Sequence, residues 1–408
     1  MKIPFAPPNI DKYSIKEVVK TLKSGWITTG PKNLELEDEL KKIFEIENIL
    51  AVSSATSGLM LCLDWYGVGP GDEVIIPAYT YAATALAVIH LGAKPVMVDS
   101  RKDFTINPQS IKKVLTENTK AIIPVDIAGL PCDYDSIRKI IFSKQTKNLF
   151  KARSVEQEKL KRILILSDSA HSIGSKYREK PAAHQSDFSV HSFHAVKNIT
   201  TAEGGCIVIN LPNKTNNLEI YRKLKLSSLN GQTKDAFAKS LSNNWKYDIV
   251  QKGFKANLPD VLAALALPAL KKYNSKFLPK RKKLFNYYSK LFSNWEMAQK
   301  PTGQDTKRES SYHYYPLLLR NADEVLRDSI IARLSMCGIS TNVHYRPLPS
   351  LKYFQDIGYL YENYKSAKNL YSREISFPIY PSLKFKEVKY IVKMAIEAYE
   401  SAIQNKTT

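Results

Sequence analysis

Ser192-Phe193-His194-Ala195-Val196-Lys197 runs into Asn198-Ile199-Thr200-Thr201-Ala202-Glu203-Gly204-Gly205. The segment joins two short apolar runs, Phe188–Ser192 and Cys206–Asn210, which read as strands. It therefore carries a lysine just past a strand end and just before a Gly-Gly turn. A lysine so placed can hold an aldehyde as a Schiff base, because its amine is nucleophilic once neutral and the resulting imine protonates readily. Alone it means little: the chain has 60 Lys and Arg, most of which must be solvated surface groups.

The residues upstream give Lys197 its meaning. Ile163-Leu164-Ile165-Leu166-Ser167-Asp168 is an apolar strand that ends on a carboxylate. Asp168 is placed to keep a pyridine nitrogen protonated; the competing account is a helix cap. His171 follows, as a contact to a ring oxygen, a group that orients Asp168, or a polar core histidine. Earlier, Ser53-Ser54-Ala55-Thr56-Ser57-Gly58 leads from a strand into a helix, and its small residues let the chain approach a phosphate. Ala55 and Thr56 are the candidate contacts, with N-capping as the bland role of Thr56 or Ser57. Ser192 offers a further hydroxyl. Tyr81, after the strand Glu73–Pro77, can stack on an aromatic ring or pack in a core. Phosphate turn, aromatic ring, strand-end aspartate, serine and lysine in that order suit pyridoxal 5'-phosphate (PLP), and no metal.

The same residues fix the expected fold. Candidate strands are Ile49–Ser53, Glu73–Pro77, Pro95–Val98, Ala121–Val125, Ile163–Ser167, Phe188–Ser192 and Cys206–Asn210, with amphipathic stretches such as Ser57–Trp65 and Thr84–Leu91 between them. Such alternation predicts an α/β fold, a mostly parallel sheet with helices on both faces. A large domain is expected over residues 1–270, including an N-terminal arm and closing on the apolar helix Val261–Leu270. A smaller α+β domain follows over 271–408. Its elements are a long basic helix Lys271–Lys290, strands Tyr312–Leu319 and Ile339–Tyr345, and helices Ala322–Cys337 and Lys386–Ala402. Arg138–Arg162 carries nine Lys or Arg against two Glu and reads as a basic surface insertion.

Bulk composition sets limits. The 408 residues are 44% hydrophobic and 24% charged, an ordinary globular balance that suits two domains. Prolines 4, 7 and 8 break the N-terminus before any signal-like apolar run, and no stretch reaches the ~18 apolar residues of a membrane span, so a cytoplasmic protein without a membrane partner is expected. Cys62, Cys132, Cys206 and Cys337 are scattered, which argues against disulfides or zinc. The net charge of +21 invites a nucleic-acid reading. The basic residues are dispersed, however, and no zinc-finger, RNA-binding or helix-turn-helix signature accompanies them, so no nucleic-acid partner is expected.

At finer resolution the chain resembles the DegT/DnrJ/EryC1/StrS family of PLP-dependent sugar aminotransferases. The resemblance runs from Ser24-Gly25-Trp26-Ile27-Thr28-Thr29-Gly30-Pro31 through Gly71–Pro77, Pro124–Gly129 and the Ser192–Gly205 stretch to Val343-His344-Tyr345 and Ile375–Pro381. It implies the PLP-dependent transferase fold type I, with Lys197 as Schiff-base lysine and Asp168 as pyridinium partner. It also implies His171 beside the ring hydroxyl, Tyr81 on the ring, and Ala55, Thr56 and Ser192 on the phosphate. Thr28, His344 and Tyr345 would contact substrate. Asn257, in Gly253-Phe254-Lys255-Ala256-Asn257, would reach the neighbouring subunit's phosphate, making a homodimer with shared active sites. The implied reaction moves an amine from a donor, glutamate, to a nucleotide-diphospho keto-sugar at C4, for a surface polysaccharide or glycan. Two alternatives stand beside it: a PLP enzyme of this fold acting on another amine, and a non-catalytic regulatory homologue. Departures from the family pattern are Asn230 where a histidine is usual, Leu86 where an asparagine is common, and Ala202 in place of a glycine.

Overall fold

The computed structural model of the protein describes residues 2–212, 215–234 and 245–407. Seven strands form the main sheet: β1 (Ile49–Val52), β2 (Glu73–Pro77), β3 (Lys94–Val98), β4 (Thr119–Ile122), β5 (Leu164–Asp168), β6 (Phe188–Ser192) and β7 (Gly205–Ile209). Their spatial order is β1-β7-β6-β5-β4-β2-β3. Neighbours from β6 to β3 are parallel, while β7 runs against both β1 and β6. β1, β5 and β7 are buried at every position, as expected of β-branched runs covered on both faces. Each strand lies within two or three residues of the range read from the sequence.

Register brings the functional segments to one edge. Gly205, the first residue of β7, pairs with both Val52 and Ser192, the last residues of β1 and β6. The carboxyl ends of β1, β5 and β6 thus open on the same side, where ligands of such sheets bind. Gly205 is required at this crossing: a Cβ there would lie 2.9 Å from the Ala55 nitrogen and 2.5 Å from the His191 carbonyl.

The second sheet is antiparallel, in the order β8 (Ala298–Gln299), β9 (Tyr315–Leu319), β10 (Glu374–Phe377). Helices Leu278–Leu291, Glu324–Met336 and Phe385–Thr407 complete it, around a core that includes Leu317, Ile330, Phe377 and Ile391. Ile3 belongs to that core too, since its backbone pairs with Gly338 and Ser340. Conversely Leu348, Phe354, Ala367 and Leu370 pack on the core of the large sheet.

Three expectations change. Ile339–Tyr345 is not a strand: it makes only isolated bridges, Ile339 to Ile3 and Asn342 to Ser376, and Glu374–Phe377 takes the edge position beside β9. The basic helix expected over Lys271–Lys290 is broken into a π-turn, Tyr273–Phe277, and a helix from Leu278, with Pro279 in its first turn. The basic segment Arg138–Arg162 is more than surface decoration. Most of it is helical (Tyr134–Ile141, Lys144–Leu149, Val155–Leu160), and it is anchored inside. The buried Arg162 pairs with the buried Asp187 through contacts of 2.6 and 2.7 Å. Gln157, fully buried, donates to the Tyr66 carbonyl at 3.0 Å. Among the described residues, no helix is long and apolar enough to cross a membrane.

Candidate active site

A cavity of about 470 Å³ opens at the carboxyl edge of the main sheet, within the size range of small-molecule sites. Lys197, Asp168, His171, Ser192, Ala55, Thr56, Tyr81, His344 and Tyr345, scattered over almost 300 positions, all line it. Asn257 and Thr28 do not. Asn257 lies in a separate groove, where its amide donates to Thr29 Oγ1 at 2.6 Å, and the Thr28 carbonyl accepts from the backbone of Asp260. A larger cavity, about 640 Å³ near Arg101 and Arg308, contains none of these residues.

Asp168 ends β5 and is 7% exposed. Burial raises its pKa, opposed by a 2.7 Å hydrogen bond from Thr84 Oγ1, by the Ala170 N–H and by the charge of Lys197. Lys197 is driven the other way: burial pushes its ammonium down to about 8, against the pull of Asp168. An amine with that pKa is partly neutral near physiological pH, the state in which it attacks a carbonyl.

The helix Ala55–Trp65 points its N-terminus into the same space. Ser54 and Ser57 form a capping box, with Ser54 Oγ accepting from the Ser57 N–H at 3.1 Å. That bond satisfies the third N–H of the helix, and those of Ala55 and Thr56, the first two, are left for an anion. Thr56 and Ser57 are thus not the N-cap, a role that falls to Ser54. Tyr81 is 62% exposed, so core packing does not explain it; its ring sits 5.7 Å from that of Tyr345.

His171 does not orient Asp168, a task that falls to Thr84. Its Nε2 meets the Tyr345 hydroxyl at 2.9 Å, and its ring stacks on His313 at 4.5 Å. Burial, then the charge of Lys197, depresses both imidazoles far below the usual histidine range. Among the described residues, His171 Nδ1 is buried without a hydrogen-bond partner, an arrangement that a ligand oxygen would satisfy. Four of the seven histidines line this one cavity. His313 and Thr84 were not singled out in the sequence. Thr84 carried a weak signal, standing one helical turn after Thr80, while His313 carried none.

A lysine with a lowered pKa, a strand-end carboxylate, a helix N-terminus and an unpaired imidazole nitrogen around one cavity fit PLP, and together with β7, the one antiparallel strand of the seven-stranded sheet, they define a fold-type I enzyme of that class. Comparison with known proteins agrees. The DegT/DnrJ/EryC1/StrS aminotransferase family profile matches residues 8–395. Spr1654 from Streptococcus pneumoniae, assigned as a sugar aminotransferase, is 39% identical. Its PMP form superposes with a TM-score of 0.94 over 100% of both chains, and its PLP form with 0.93 over 98% of this chain and 100% of that one. The spore coat polysaccharide biosynthesis protein SpsC of Bacillus subtilis is 31% identical over 405 residues, 98% of each chain. Helicobacter pylori PseC, an aminotransferase involved in pseudoaminic acid biosynthesis, is 28% identical with a TM-score of 0.84, covering 98% of this chain and 100% of its own. The chain belongs to the DegT/DnrJ/EryC1/StrS aminotransferase family, and is a PLP-dependent enzyme of the sugar aminotransferase class.

Proposed function

We propose that the enzyme transfers an amino group from glutamate to C4 of a nucleotide-diphospho keto-sugar, for a surface polysaccharide or glycan, in the cytoplasm. The observation that carries the reading is Lys197, with its lowered pKa, sharing one cavity with Asp168 and the free end of the Ala55–Trp65 helix. The names of SpsC and PseC support a sugar acceptor, and the Gly253–Asn257 segment supports C4.

Bound PLP supplies an electron sink that stabilises negative charge developing at the donor's α-carbon. Ala55 and Thr56 N–H groups and the Ser192 hydroxyl would hold its phosphate, and Tyr81 would hold its ring. Asp168, oriented by Thr84, would hold the proton of the ring nitrogen, and His171 Nδ1 would serve the ring oxygen. Lys197 would hold PLP through its Nζ, and once freed by the donor amine its neutral nitrogen would be the base that takes the donor's α-proton and carries it away from that carbon. His344 and Tyr345 contact the sugar substrate, and Thr28, outside the cavity of its own chain, contacts it from a second copy. Asn257, outside the cavity of its own chain, completes that of a second copy, so the working unit is a homodimer with shared active sites.

The test is the visible spectrum of the PLP-loaded protein. Glutamate should bleach the band of the lysine-bound cofactor and a nucleotide keto-sugar should restore it, while Lys197→Ala should never form the band. A band indifferent to glutamate but responsive to another amine removes the donor assignment, and absence of any band removes the reading.

A further inference from the structure

Behind the wall that carries His344 lies a buried carboxylate without a role so far. Glu374 opens β10 and is 0% exposed. Its Oε2 accepts from the His344 backbone N–H at 3.0 Å, and its Oε1 meets Ser376 Oγ at 2.5 Å. Ser376 Oγ in turn lies 2.8 Å from His344 Nδ1. The imidazole itself lines the cavity, with the rings of Phe5 at 5.3 Å and Tyr314 at 4.5 Å packed against it. Carboxylate, hydroxyl and ring thus form one unbranched chain that ends at the cavity.

Proton counting constrains such a chain. The Ser376 hydroxyl has one proton. While Glu374 is ionised it can only accept, so Ser376 donates to it and must accept from His344 Nδ1–H. The ring then turns a bare Nε2 to the cavity. When Glu374 is protonated every bond reverses: Glu374 donates to Ser376, Ser376 donates to Nδ1, and Nε2 carries the proton. One proton taken up at Nε2 therefore passes the Nδ1 proton to Ser376 Oγ and the hydroxyl proton to Glu374 Oε1, and the ring remains neutral throughout.

We propose that His344, Ser376 and Glu374 form a proton relay behind the substrate wall, in which a proton taken at His344 Nε2 is stored on Glu374. This rests on the reading of the cavity as an aminotransferase site, and assigns Glu374 as a positioning residue for His344. The surroundings suit the task. Burial and then the charge of Lys197 push the imidazole down to about 3, so the ring does not hold a charge of its own. Burial pushes the Glu374 carboxyl up to about 8, against the bonds from Ser376 and His344 and the charge of Arg327, so it exchanges a proton in the working range. Arg327, from the helix Glu324–Met336, is itself held by Asp328 at 2.5 Å and Glu324 at 3.8 Å. The other titratable groups whose charge acts with Glu374 are the buried hydroxyls of Tyr79, Tyr314 and Tyr345. Asn342 provides a second setting. The Val343 N–H fixes its Oδ1 at 2.8 Å, leaving its Nδ2 3.4 Å from His344 Nε2, which favours the bare-nitrogen state.

The experiment is a pH titration of the PLP-loaded full chain labelled with 15N-histidine, the His344 signals being identified by their loss in His344→Asn. In the wild type, Nε2 should change from the bare-nitrogen shift to the N–H shift as pH falls through the mildly alkaline range. In Glu374→Gln the amide oxygen must face the His344 N–H and the NH2 must face Ser376, so Nε2 should carry the proton at every pH. Ser376→Ala should lose the response, and decides the matter if the glutamine variant does not fold. An unchanged titration in these variants, or a wild-type ring that keeps Nδ1–H throughout, overturns the relay. In single-turnover reactions the sugar step should lose its alkaline pH limb in Glu374→Gln while the glutamate step keeps its profile; an unaltered limb also overturns it. If the wild type fails to turn over sugar at all, the aminotransferase reading fails, yet the 15N titration still decides the relay.

Discussion

Thr84 Oγ1 donates a 2.7 Å hydrogen bond to Asp168 Oδ2, and this is the one side-chain bond, among the described residues, that steadies the carboxylate at the end of β5. Thr84 reaches it from the helix Ala82–Ile89, one turn after Thr80, whose hydroxyl lies 3.1 Å from its own. Replacing Thr84 by the isosteric valine removes the donor and lets burial raise the Asp168 pKa further. A hydrogen bond to a charged group contributes roughly 1.5 kcal/mol or more, so the amino-donor half-reaction of Thr84→Val should slow about tenfold. Stopped-flow absorbance measures this directly, and an unchanged rate with a retained Lys197 band would show that Thr84 is dispensable.

Ala202 has a φ of 67°, in the left-handed region that favours glycine. The loop needs this conformation to bring Gly204 and Gly205 against Thr201 and Ala55, and Thr200 Oγ1 fixes it by accepting from the Ala202 N–H at 2.9 Å. An alanine there is strained by roughly 1–2 kcal/mol, partly offset by the lower entropy of its unfolded chain. Ala202→Gly should therefore raise stability by up to about 1 kcal/mol in urea unfolding. A lower midpoint would mean that the loop relies on alanine for contact.

Glu37 predicts a pH dependence of stability. It is 7% exposed, accepts from the Ala51 N–H at 2.9 Å and the Tyr221 hydroxyl at 3.0 Å, and burial still pushes its carboxyl up to about 7. The folded chain thus binds this proton more tightly than the unfolded chain, whose value is near 4.5. The contribution is complete below the unfolded value and is lost as pH rises to about 7. Asp126 and Glu374 act with the same sign, so the informative quantity is the difference from Glu37→Gln. Wild-type stability relative to the variant should fall between pH 5 and 8, on the order of 3 kcal/mol in total. Parallel curves would mean that Glu37 does not titrate differently in the two states.

How much of this was readable in the chain follows from the range over which each signal acts. The strands of the main sheet announce themselves because both faces are covered, and a run such as Ile163–Leu166 has no other use. Asp168, Ser192 and Lys197 could be singled out because they stand where such runs stop. Ile339–Tyr345 has the same apolar, β-branched character, yet its pairing partners are Ile3 and Ser376, a choice made by packing far along the chain. His313 reaches the cavity from just before β9, and Glu374 bonds to the backbone of a residue 30 positions earlier. Neither stands in a local pattern that periodicity or spacing detects. The basic segment misled for a related reason, since one buried pair, Arg162 with Asp187, outweighs the solvated lysines around it.

The final prediction concerns the two site residues that the cavity does not contain. Asn257 and Thr28 lie beside Thr29 and Asp260, on a surface that also presents Ile27, 51% exposed, and Leu34, 48% exposed. If this surface completes a second copy's site, each active site draws Lys197 from one chain and Asn257 from the other. Lys197→Ala and Asn257→Asp should then each be inactive alone, the second through a carboxylate placed beside the phosphate. Mixing the two inactive proteins under conditions that exchange subunits should restore about a quarter of wild-type activity, because half of the dimers are hybrids and each hybrid holds one intact site. A self-contained site predicts that the mixture is only the average of its two components. Size-exclusion chromatography of each variant shows whether dimers persist, which separates a lost interface from a lost contact.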